Sequence, residues 1–312
     1  MKVAVIPNSE NIGDSFLLLT LCHQLKKKGY EVDVFHNKIS TIQSLFSYNF
    51  KKYDDNLDFS LYDKIYIQHN NKEKTENIKK IRDRKSLQNI HFIYFTHKES
   101  KHGKLSNLDI KLDPNSTMLN GLCKELKSHF NLKKEEKEIG IKIPKNSKYK
   151  KHKKRVIIYS SSKSLYKKYP LKKFIKIAKK LKLRGYQVSF CVPIEERKKY
   201  LEVLQLGFDL PAMFLISDFA MYLHESSYFI GNDSFASHLA SYLKIPSIVI
   251  SSNIDKVKRW KPSWNESKIV TPPSYLFNFK YLPIKDKYWQ MFVTTNKILK
   301  SFNQSLKAIN II

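Results

Sequence analysis

The stretch KVAVIPNSENIGDSFLLLTLCHQLKKKGYEVDVFH, residues 2–36, places two short apolar runs on either side of a longer segment. The runs KVAVI and EVDVFH are typical of buried strands. The segment DSFLLLTLCHQLKKKG has apolar residues at helical spacing and ends at Gly29, a residue type that commonly closes helices. A strand, a helix and a second strand in this order predict a βαβ unit with a right-handed crossover and parallel strands.

The same alternation continues along the chain. Further strands are predicted at 64–68 and 90–96, and a charged stretch without apolar periodicity, residues 133–155, has the composition of a linker. After it the sequence predicts strands at 155–160, 186–192, 212–217, 227–231 and 245–251, with helices between them. We therefore expect an α/β protein of two doubly wound, Rossmann-like domains facing each other across a cleft, residues 1–150 and 151–285, followed by a helix in residues 286–312.

The chain is strongly basic, with 57 Lys and Arg against 28 Asp and Glu in 312 residues and a formal net charge of +29. Two interpretations remain open. A bias toward lysine, asparagine and isoleucine can leave much of this charge simply solvated. Alternatively, the charge attracts an anionic partner such as nucleic acid, a phosphorylated glycolipid or a membrane surface. No RNA-binding aromatic strand or zinc-finger spacing is present, so no nucleic-acid partner is expected.

Apolar runs such as FLLLTL and IPSIVI are far shorter than the ~18–20 residues that span a bilayer. The apolar run before Pro7 is also too short for a signal peptide. The three cysteines, Cys22, Cys123 and Cys191, are too widely spaced for a disulfide framework or a zinc site. We therefore expect a soluble, cytoplasmic monomer with reduced cysteines.

Ligands of open α/β sheets bind beyond the carboxyl ends of strands, so the strand-to-helix turns are the candidate sites. The eight glycines form no dinucleotide-binding or P-loop motif, which disfavours nicotinamide enzymes and P-loop NTPases. No Asp-x-Asp pair follows a strand, and His97 and His102 do not share a helix face. No metal site is therefore expected, and HKESKH is interpreted as a solvated loop.

Two turns contain candidate residues that can also be explained without a ligand. In NIGDS, Asp14 falls at or near the start of a helix, where capping alone accounts for it. In SSSKSLYKKYP, residues 160–170, the hydroxyls and three lysines precede a helix and suit a diphosphate, as do many ordinary basic loops. The lysines are Lys163, Lys167 and Lys168.

The most specific stretch is FIGNDSFASHLASYLKIPSIVI, residues 229–250. A strand ends at Gly231, Asp233 and Ser234 open a helix, and His238 follows about one turn later. The amides at a helix start bind phosphate oxygens, and a hydroxyl and an imidazole can add further donors. Capping and a packed histidine explain the helix but not the whole combination, so this turn predicts a phosphate site.

These residues resemble bacterial lipopolysaccharide heptosyltransferases of the ADP-heptose type, glycosyltransferase family 9, whose fold is GT-B. IGDSFLLLTLCHQLKKKGYEVDVF is similar to that family's opening turn and helix, and KKYPLKKFIKIAKKLKLRGYQVSFCV to a segment in which a lysine precedes an aromatic–proline pair. GNDSFASHLASYLKIPSIVI resembles the donor-phosphate signature G-x-D-[ST]-G-x-x-H-L-A. The resemblance implies a GT-B fold in which the last helix, within 286–312, returns to the N-terminal domain.

The resemblance also assigns roles to individual residues. It implies that Asp14 is the catalytic base and that Lys167 contacts the diphosphate during transfer. The implied nucleotide-sugar site comprises Ser161, Asn232, Asp233, Ser234, Phe235 and His238, with Glu195 or Glu196 holding the ribose. Two positions depart from the family pattern. Tyr169 stands where the family usually has Trp, and Phe235 stands where it has glycine, so the donor pocket must be reshaped.

The implied activity is inverting, metal-independent transfer of heptose from ADP-heptose to the lipopolysaccharide inner core, without a cofactor. The implied acceptor is an anionic glycolipid, which makes the protein peripheral at the cytoplasmic face of the inner membrane. Three alternatives stay open. The fold could transfer another sugar, such as a hexose or N-acetylhexosamine from UDP. The chain could instead be a non-catalytic basic protein that binds nucleic acid or membrane, or an inactive family member that serves as an assembly partner.

Overall fold

The chain divides into two units, Met1–Lys142 and Ile143–Ile312. The computed structural model describes residues 1–8, 12–37, 43–53, 57–162, 164–274 and 288–310, with the side chains of residues 14, 165, 256 and 308–310 outside the described set. The division falls inside the lysine-rich stretch 133–155, eight residues before the expected boundary after residue 150. The chain therefore forms two compact units.

The first unit is built on a parallel sheet with strand order β3-β2-β1-β4-β5-β6 in the described residues. Its strands are β1 (Lys2–Ile6), β2 (Glu31–Phe35), β3 (Asn49–Lys51), β4 (Lys64–Gln68), β5 (Ile90–Tyr94) and β6 (Ile110–Lys111). Its helices are α1 (Ile12–Leu17), α2 (Leu19–Lys27), α3 (Glu73–Lys85), α4 (Glu99–His102) and α5 (Met118–His129). The neighbouring strands pair in parallel throughout, which confirms the predicted doubly wound sheet.

The long helix predicted after β1 is two helices. Helix α1 ends at Leu17, and α2 begins at Leu19 after a turn at Leu18, whose amide donates to the Ser15 carbonyl. Because α1 begins at Ile12, Asp14 lies in the first turn of the helix and not at its cap. The side chain of Asp14 lies outside the described residues.

The second unit has a five-stranded parallel sheet in the described residues, with strand order β11-β10-β9-β7-β8. Its strands are β7 (His152–Tyr159), β8 (Gln187–Phe190), β9 (Ser226–Asn232), β10 (Ser247–Ile250) and β11 (Ser267–Val270). Its helices include α6 (Leu171–Lys182), α7 (Glu202–Gln205), α8 (Ile216–His224), α9 (Phe235–Tyr242) and α10 (Ile254–Trp260). The strand order reverses between β7 and β9, and ligands of open sheets bind at the carboxyl ends of the strands that flank such a point.

The strand predicted at 212–217 does not form. An earlier segment of the chain pairs with β8 at this edge of the sheet. Asp209 forms a β-bridge with Ser189, and the Asp209 carbonyl accepts from the Phe190 amide at 2.8 Å. Phe214, in the predicted strand, is 73% exposed. The apolar run 212–217 therefore belongs to an irregular connection. The strand edge that it would have joined is already occupied by the segment at Asp209.

The final helix, Thr295–Asn310, packs within the second unit. Its buried side chains Ile298, Leu299 and Phe302 belong to the same core as residues of α6 and of the second sheet. The family resemblance described above implies that this helix returns to the N-terminal domain. The structure corrects that expectation, because the apolar face of the helix is already buried inside the C-terminal unit.

A buried ion pair ties the helices of the first unit to its sheet. The Arg82 guanidinium, on α3, donates to both carboxylate oxygens of Asp109, which also accepts from the Phe92 and Ser106 amides. The Asp109 side chain is fully buried. Arg82 donates through Nε to Asp83 as well, at 2.9 Å, but that carboxylate is 47% exposed.

We predict that Asp109→Asn lowers the free energy of unfolding of the first unit by about 3–5 kcal/mol, because it leaves a buried guanidinium without its counter-charge. Asp83→Asn is the matched control, since it removes the exposed partner of the same arginine and is expected to cost less than about 1 kcal/mol. Urea unfolding followed by far-ultraviolet circular dichroism compares the two. Equal losses in the two variants would contradict the assignment.

Candidate functional site

The candidate site lies at the carboxyl ends of β7 and β9, where the strand order of the second sheet reverses. Asn232, the last residue of β9, is fully buried. Its Nδ2 donates to the Ser160 carbonyl at 2.8 Å, and its Oδ1 accepts from the Tyr169 amide at 3.1 Å. One side chain therefore fixes the start of the loop after β7 and the end of the loop before α6.

Gly231 allows β9 to lie close to β7 at this edge. A Cβ at this position would meet the Tyr159 carbonyl oxygen at 2.8 Å, which is backbone and has no freedom to turn aside. Tyr159 and Gly231 are register partners in the two paired strands. The glycine of the sequence motif is thus required by strand packing, and it places Asp233 and Ser234 directly beside the loop that follows β7.

Lys167 and Asp233 face each other in the site. The Lys167 ammonium donates to Asp233 Oδ2 at 3.0 Å, and the lysine side chain is about half exposed while the carboxylate is largely buried. The pair joins the loop after β7 to the GNDS turn, and a phosphate site shared by the two stays a prediction. An exposed lysine held by one carboxylate can exchange that partner for a phosphate oxygen.

The start of α9 has an available hydroxyl. Ser237 Oγ turns back to the Ser234 carbonyl, at 2.6 Å, and accepts from the Ser234 amide at 3.4 Å. The buried Ser234 Oγ has no hydrogen-bond partner within the described residues. Phe235 is the first residue of α9 and has helical backbone, so the aromatic ring is accommodated without a positive φ.

His238 lies one turn into α9 and is buried. Burial lowers the pKa of His238 to about 4; the Asp233 charge opposes this shift and the Lys167 charge adds to it. The imidazole is therefore neutral near pH 7, and its Nδ1 finds no partner in the part of the chain that the structure describes. A neutral ring can donate one hydrogen bond to a bound oxygen without carrying a buried charge.

Of the two predicted ribose contacts, the structure connects one to the site. Ser161 Oγ donates to Glu196 Oε1 at 2.7 Å, which joins the loop after β7 to the segment after β8. Glu195 is exposed and Glu196 is partly buried. A carboxylate that accepts from a serine hydroxyl in this way suits a sugar diol.

Two residues that the sequence reasoning did not assign hold the site together. The Tyr169 ring is fully buried, and its hydroxyl donates to the Val293 carbonyl at 2.7 Å. Trp289 packs on this ring with centroids 6.1 Å apart and donates through Nε1 to the Tyr166 carbonyl at 2.7 Å. In the sequence, Trp289 is a tryptophan within a lysine-rich tail. That pattern predicts that the ring is buried, but it does not identify the residue against which the ring packs.

The site residues thus fall into two groups. Ser161, Lys167, Asp233, Ser234, Glu196 and His238 are brought together around the ends of β7 and β9. Asn232 acts behind them as a structural tie, and Lys163 lies outside the described residues. The arrangement offers an ammonium group, a hydroxyl, an imidazole and a helix start, which together suit a diphosphate.

His97 and His102, expected in a solvated loop, are part of a ring cluster in the first unit. His102 is buried, accepts from the Lys98 amide at 2.8 Å, and has its ring centroid 5.2 Å from that of His69. The apolar face of Tyr94 stacks on His69 and draws the loop inward. No group of three metal-ligating side chains occurs among the described residues.

Residues 93–280 match the model of glycosyltransferase family 9 (heptosyltransferase). Escherichia coli heptosyltransferase WaaC, solved with ADP, matches with a TM-score of 0.67 and 11% identity over 98% of this chain and 100% of that chain. E. coli ADP-heptose lipopolysaccharide heptosyltransferase II matches with a TM-score of 0.63 and 14% identity, over 99% and 100% of the respective chains.

A further similar structure is the dodecameric, iron-containing glycosyltransferase TibC from enterotoxigenic E. coli. It has a TM-score of 0.58 and 11% identity, over 100% of this chain and 80% of that chain. No curated protein matches the chain by sequence. The similarity of the solved structures supports a GT-B fold, with two parallel α/β sheets, as the sequence analysis predicts.

We predict that titration of His238 destabilises the second unit in acid. Its folded pKa of about 4 lies below the ordinary value of 6.5, so between these values the unfolded chain binds a proton that the folded chain does not. The stabilisation is fully present above pH 6.5 and is lost as the pH falls toward 4, by up to about 3 kcal/mol.

The measurement is urea unfolding at pH 4.5, 5.5 and 6.5, followed by tryptophan fluorescence. All three tryptophans, Trp260, Trp264 and Trp289, lie in the second unit. His238→Gln keeps a neutral polar group and is expected to show a shallower dependence on pH. The same pH dependence in both proteins would show that His238 is not the group responsible.

Proposed function

The chain belongs to glycosyltransferase family 9 (heptosyltransferase), and from that premise we propose that it transfers a heptose from ADP-heptose to the inner core of lipopolysaccharide. The observation that carries the proposal is the joining of Lys167, Asp233 and the start of α9 at the carboxyl ends of β7 and β9. The relatives named above include proteins solved with ADP or described as ADP-heptose enzymes. The chain is thus a glycosyltransferase, and the donor and acceptor are the proposed part.

The proposed donor site binds the diphosphate through electrostatic contacts. Cleavage of a sugar–diphosphate bond leaves extra negative charge on the departing nucleoside diphosphate. Lys167 supplies a positive charge, and Ser234 Oγ and the His238 imidazole supply hydrogen bonds toward that charge. Donors fixed before the reaction stabilise the transition state because they need little reorganisation when the charge develops. Glu196, held by Ser161, is proposed to accept from the ribose hydroxyls.

The proposed acceptor chemistry uses Asp14 as a general base. A sugar hydroxyl is a poor nucleophile until a base removes its proton as the new bond forms. Displacement in one step from the face opposite the leaving diphosphate inverts the anomeric centre. Asp14 belongs to the first unit and the phosphate site to the second. The proposal therefore requires both units to act on one donor–acceptor pair.

The acceptor is proposed to be an anionic glycolipid, because 57 basic residues against 28 acidic ones favour an anionic substrate. In the described residues, no helix is both long enough and apolar enough to cross a bilayer. A glycolipid anchored in the membrane would then be reached by peripheral contact at the cytoplasmic face. We propose that the chain does this as a monomer.

A second donor class follows from Phe235. The ring occupies the first position of α9, where the family pattern has glycine and allows close approach of the ligand to the backbone. A bulkier residue changes the shape available to the sugar. A hexose or N-acetylhexosamine carried by UDP is therefore the alternative donor within the same fold.

The donor is tested by calorimetric titration with ADP, ADP-heptose, UDP and UDP-N-acetylglucosamine. We predict tighter binding of the adenine nucleotides and a roughly 10- to 100-fold weaker ADP affinity in Lys167→Met, the loss expected for one charge-assisted hydrogen bond. Lys168→Met removes a neighbouring lysine and is expected to change the affinity less than about threefold. Preference for UDP ligands would favour the alternative donor, and absence of all binding would contradict the site.

We predict that Asp14→Asn folds and binds ADP-heptose as the unchanged protein does, but loses about 10²–10⁴-fold in transfer rate, because the acceptor proton has no base. Single-turnover transfer to truncated core glycolipids is the measurement. Ser15→Ala, at the adjacent helical residue, is the control and should keep the rate. Unchanged turnover in Asp14→Asn would remove Asp14 from the mechanism.

A further inference from the structure

Helix α6 has one face in the core of the second unit and a strongly basic face toward solvent. Phe174, Ile177 and Leu181 are fully buried on the inner face. Residues 171–186 contain seven basic side chains and no acidic one. Exposed lysines on the outer side include Lys172, Lys176, Lys179 and Lys182. The solvent-facing side of the helix is therefore a continuous positive strip.

Exposed leucines stand beside this strip. Leu183, directly after α6, is 88% exposed, and Leu204 and Leu206, at the end of α7, are also exposed. A groove of about 330 Å³ runs between the two segments and is lined by Lys179, Lys182, Leu183, Leu206 and Phe208. We call the lysines of α6 named above, together with Leu183, Leu204 and Leu206, the lysine–leucine face.

The two segments of the face are fixed to each other. Lys182 Nζ donates to the Gly207 carbonyl at 2.9 Å and lies 5.4 Å from the centre of the Phe208 ring. Phe208 is itself buried. The leucines are therefore held outward by a packed framework, and their exposure does not come from a loose loop.

A single exposed leucine is common on protein surfaces and needs no partner. Leucines interleaved with lysines are different, because they match the chemistry of a bilayer interface, where lysines pair with anionic headgroups and leucines enter the acyl boundary. A nucleic-acid backbone would use the lysines but would leave the leucines in water. We propose that the lysine–leucine face docks the second unit onto a bilayer that contains anionic lipids.

The inference goes beyond the proposed reaction, since it concerns a surface formed by α6 and α7 and does not depend on which sugar is transferred. It also assigns the peripheral membrane contact to named residues of the second unit. Its failure can be distinguished from failure of the proposed function, because vesicle binding is measured without donor or acceptor.

The test is sedimentation of the full chain with vesicles of phosphatidylcholine alone or of phosphatidylcholine with 30% phosphatidylglycerol, a composition chosen as roughly physiological in charge. Binding to the anionic vesicles is expected, with weaker binding at high salt. Lys176→Glu/Lys179→Glu should weaken this binding roughly 25-fold or more, since each lysine near an anionic surface contributes about fivefold.

The matched control is Lys133→Glu/Lys134→Glu, which changes the net charge by the same amount at exposed lysines of the first unit. It should bind the anionic vesicles nearly as well as the unchanged protein. Equal losses in the two double variants would show attraction by total charge alone and overturn the proposal. Absence of vesicle binding, or preferential binding of duplex DNA over anionic vesicles, would overturn it as well.

Insertion of the leucines is tested by a fluorophore sensitive to polarity, attached at Leu183→Cys. The native cysteines, Cys22, Cys123 and Cys191, are buried, and burial raises the pKa of each thiol, so labelling at the new cysteine is favoured. The emission is expected to shift to the blue on anionic vesicles. Leu61→Cys, at an exposed leucine of the first unit, is the control and should not shift. No shift at residue 183, or equal shifts at both positions, would overturn the docking surface.

Discussion

The candidate site depends on the two hydrogen bonds of the buried Asn232 side chain. The amide joins the end of β9 to the Ser160 carbonyl after β7 and to the Tyr169 amide before α6. Those two points bracket the loop that carries Lys167, so the ammonium reaches Asp233 from a fixed base. Gly231 makes the arrangement possible, because any side chain there would strike the Tyr159 carbonyl. Buried polar ties of this kind specify one geometry, since breaking one leaves unpaired groups away from water.

Most structural features that depend on the local pattern of residues were predicted from the sequence. The alternation of apolar runs predicted both parallel sheets. The contact between Asp233 and Lys167 was not predicted from the sequence. Features that depend on distant partners were missed or misassigned. The apolar run at 212–217 resembles a strand, yet Asp209 already lies along the edge of β8. The final helix has a clear apolar face, but periodicity does not say which core receives it. The Asn232 side chain bonds to the Ser160 carbonyl and the Tyr169 amide, a structural role that was not predicted, and its contact with a ligand stays a prediction.

In the second unit, two groups of lysines differ in their surroundings. Lys167 stands at the ends of the strands, whereas the lysines of α6 line the outer surface beside exposed leucines. A solvated lysine needs no partner. The two groups differ because each lies next to a second chemical feature, a carboxylate with a helix start in one case and an apolar groove in the other. The proposed diphosphate site and the proposed docking surface rest on these neighbours.

His238 is neutral near pH 7, and Ser234 Oγ has no hydrogen-bond partner among the described residues, which suits the proposed phosphate site. The identity of the transferred sugar is the central proposal. The most direct measurement is the mass of a truncated core glycolipid after incubation with the protein and ADP-heptose. We predict a product heavier by one heptose residue, formed together with ADP. An unchanged glycolipid mass with ADP-heptose, alongside transfer from a UDP-sugar, would contradict it.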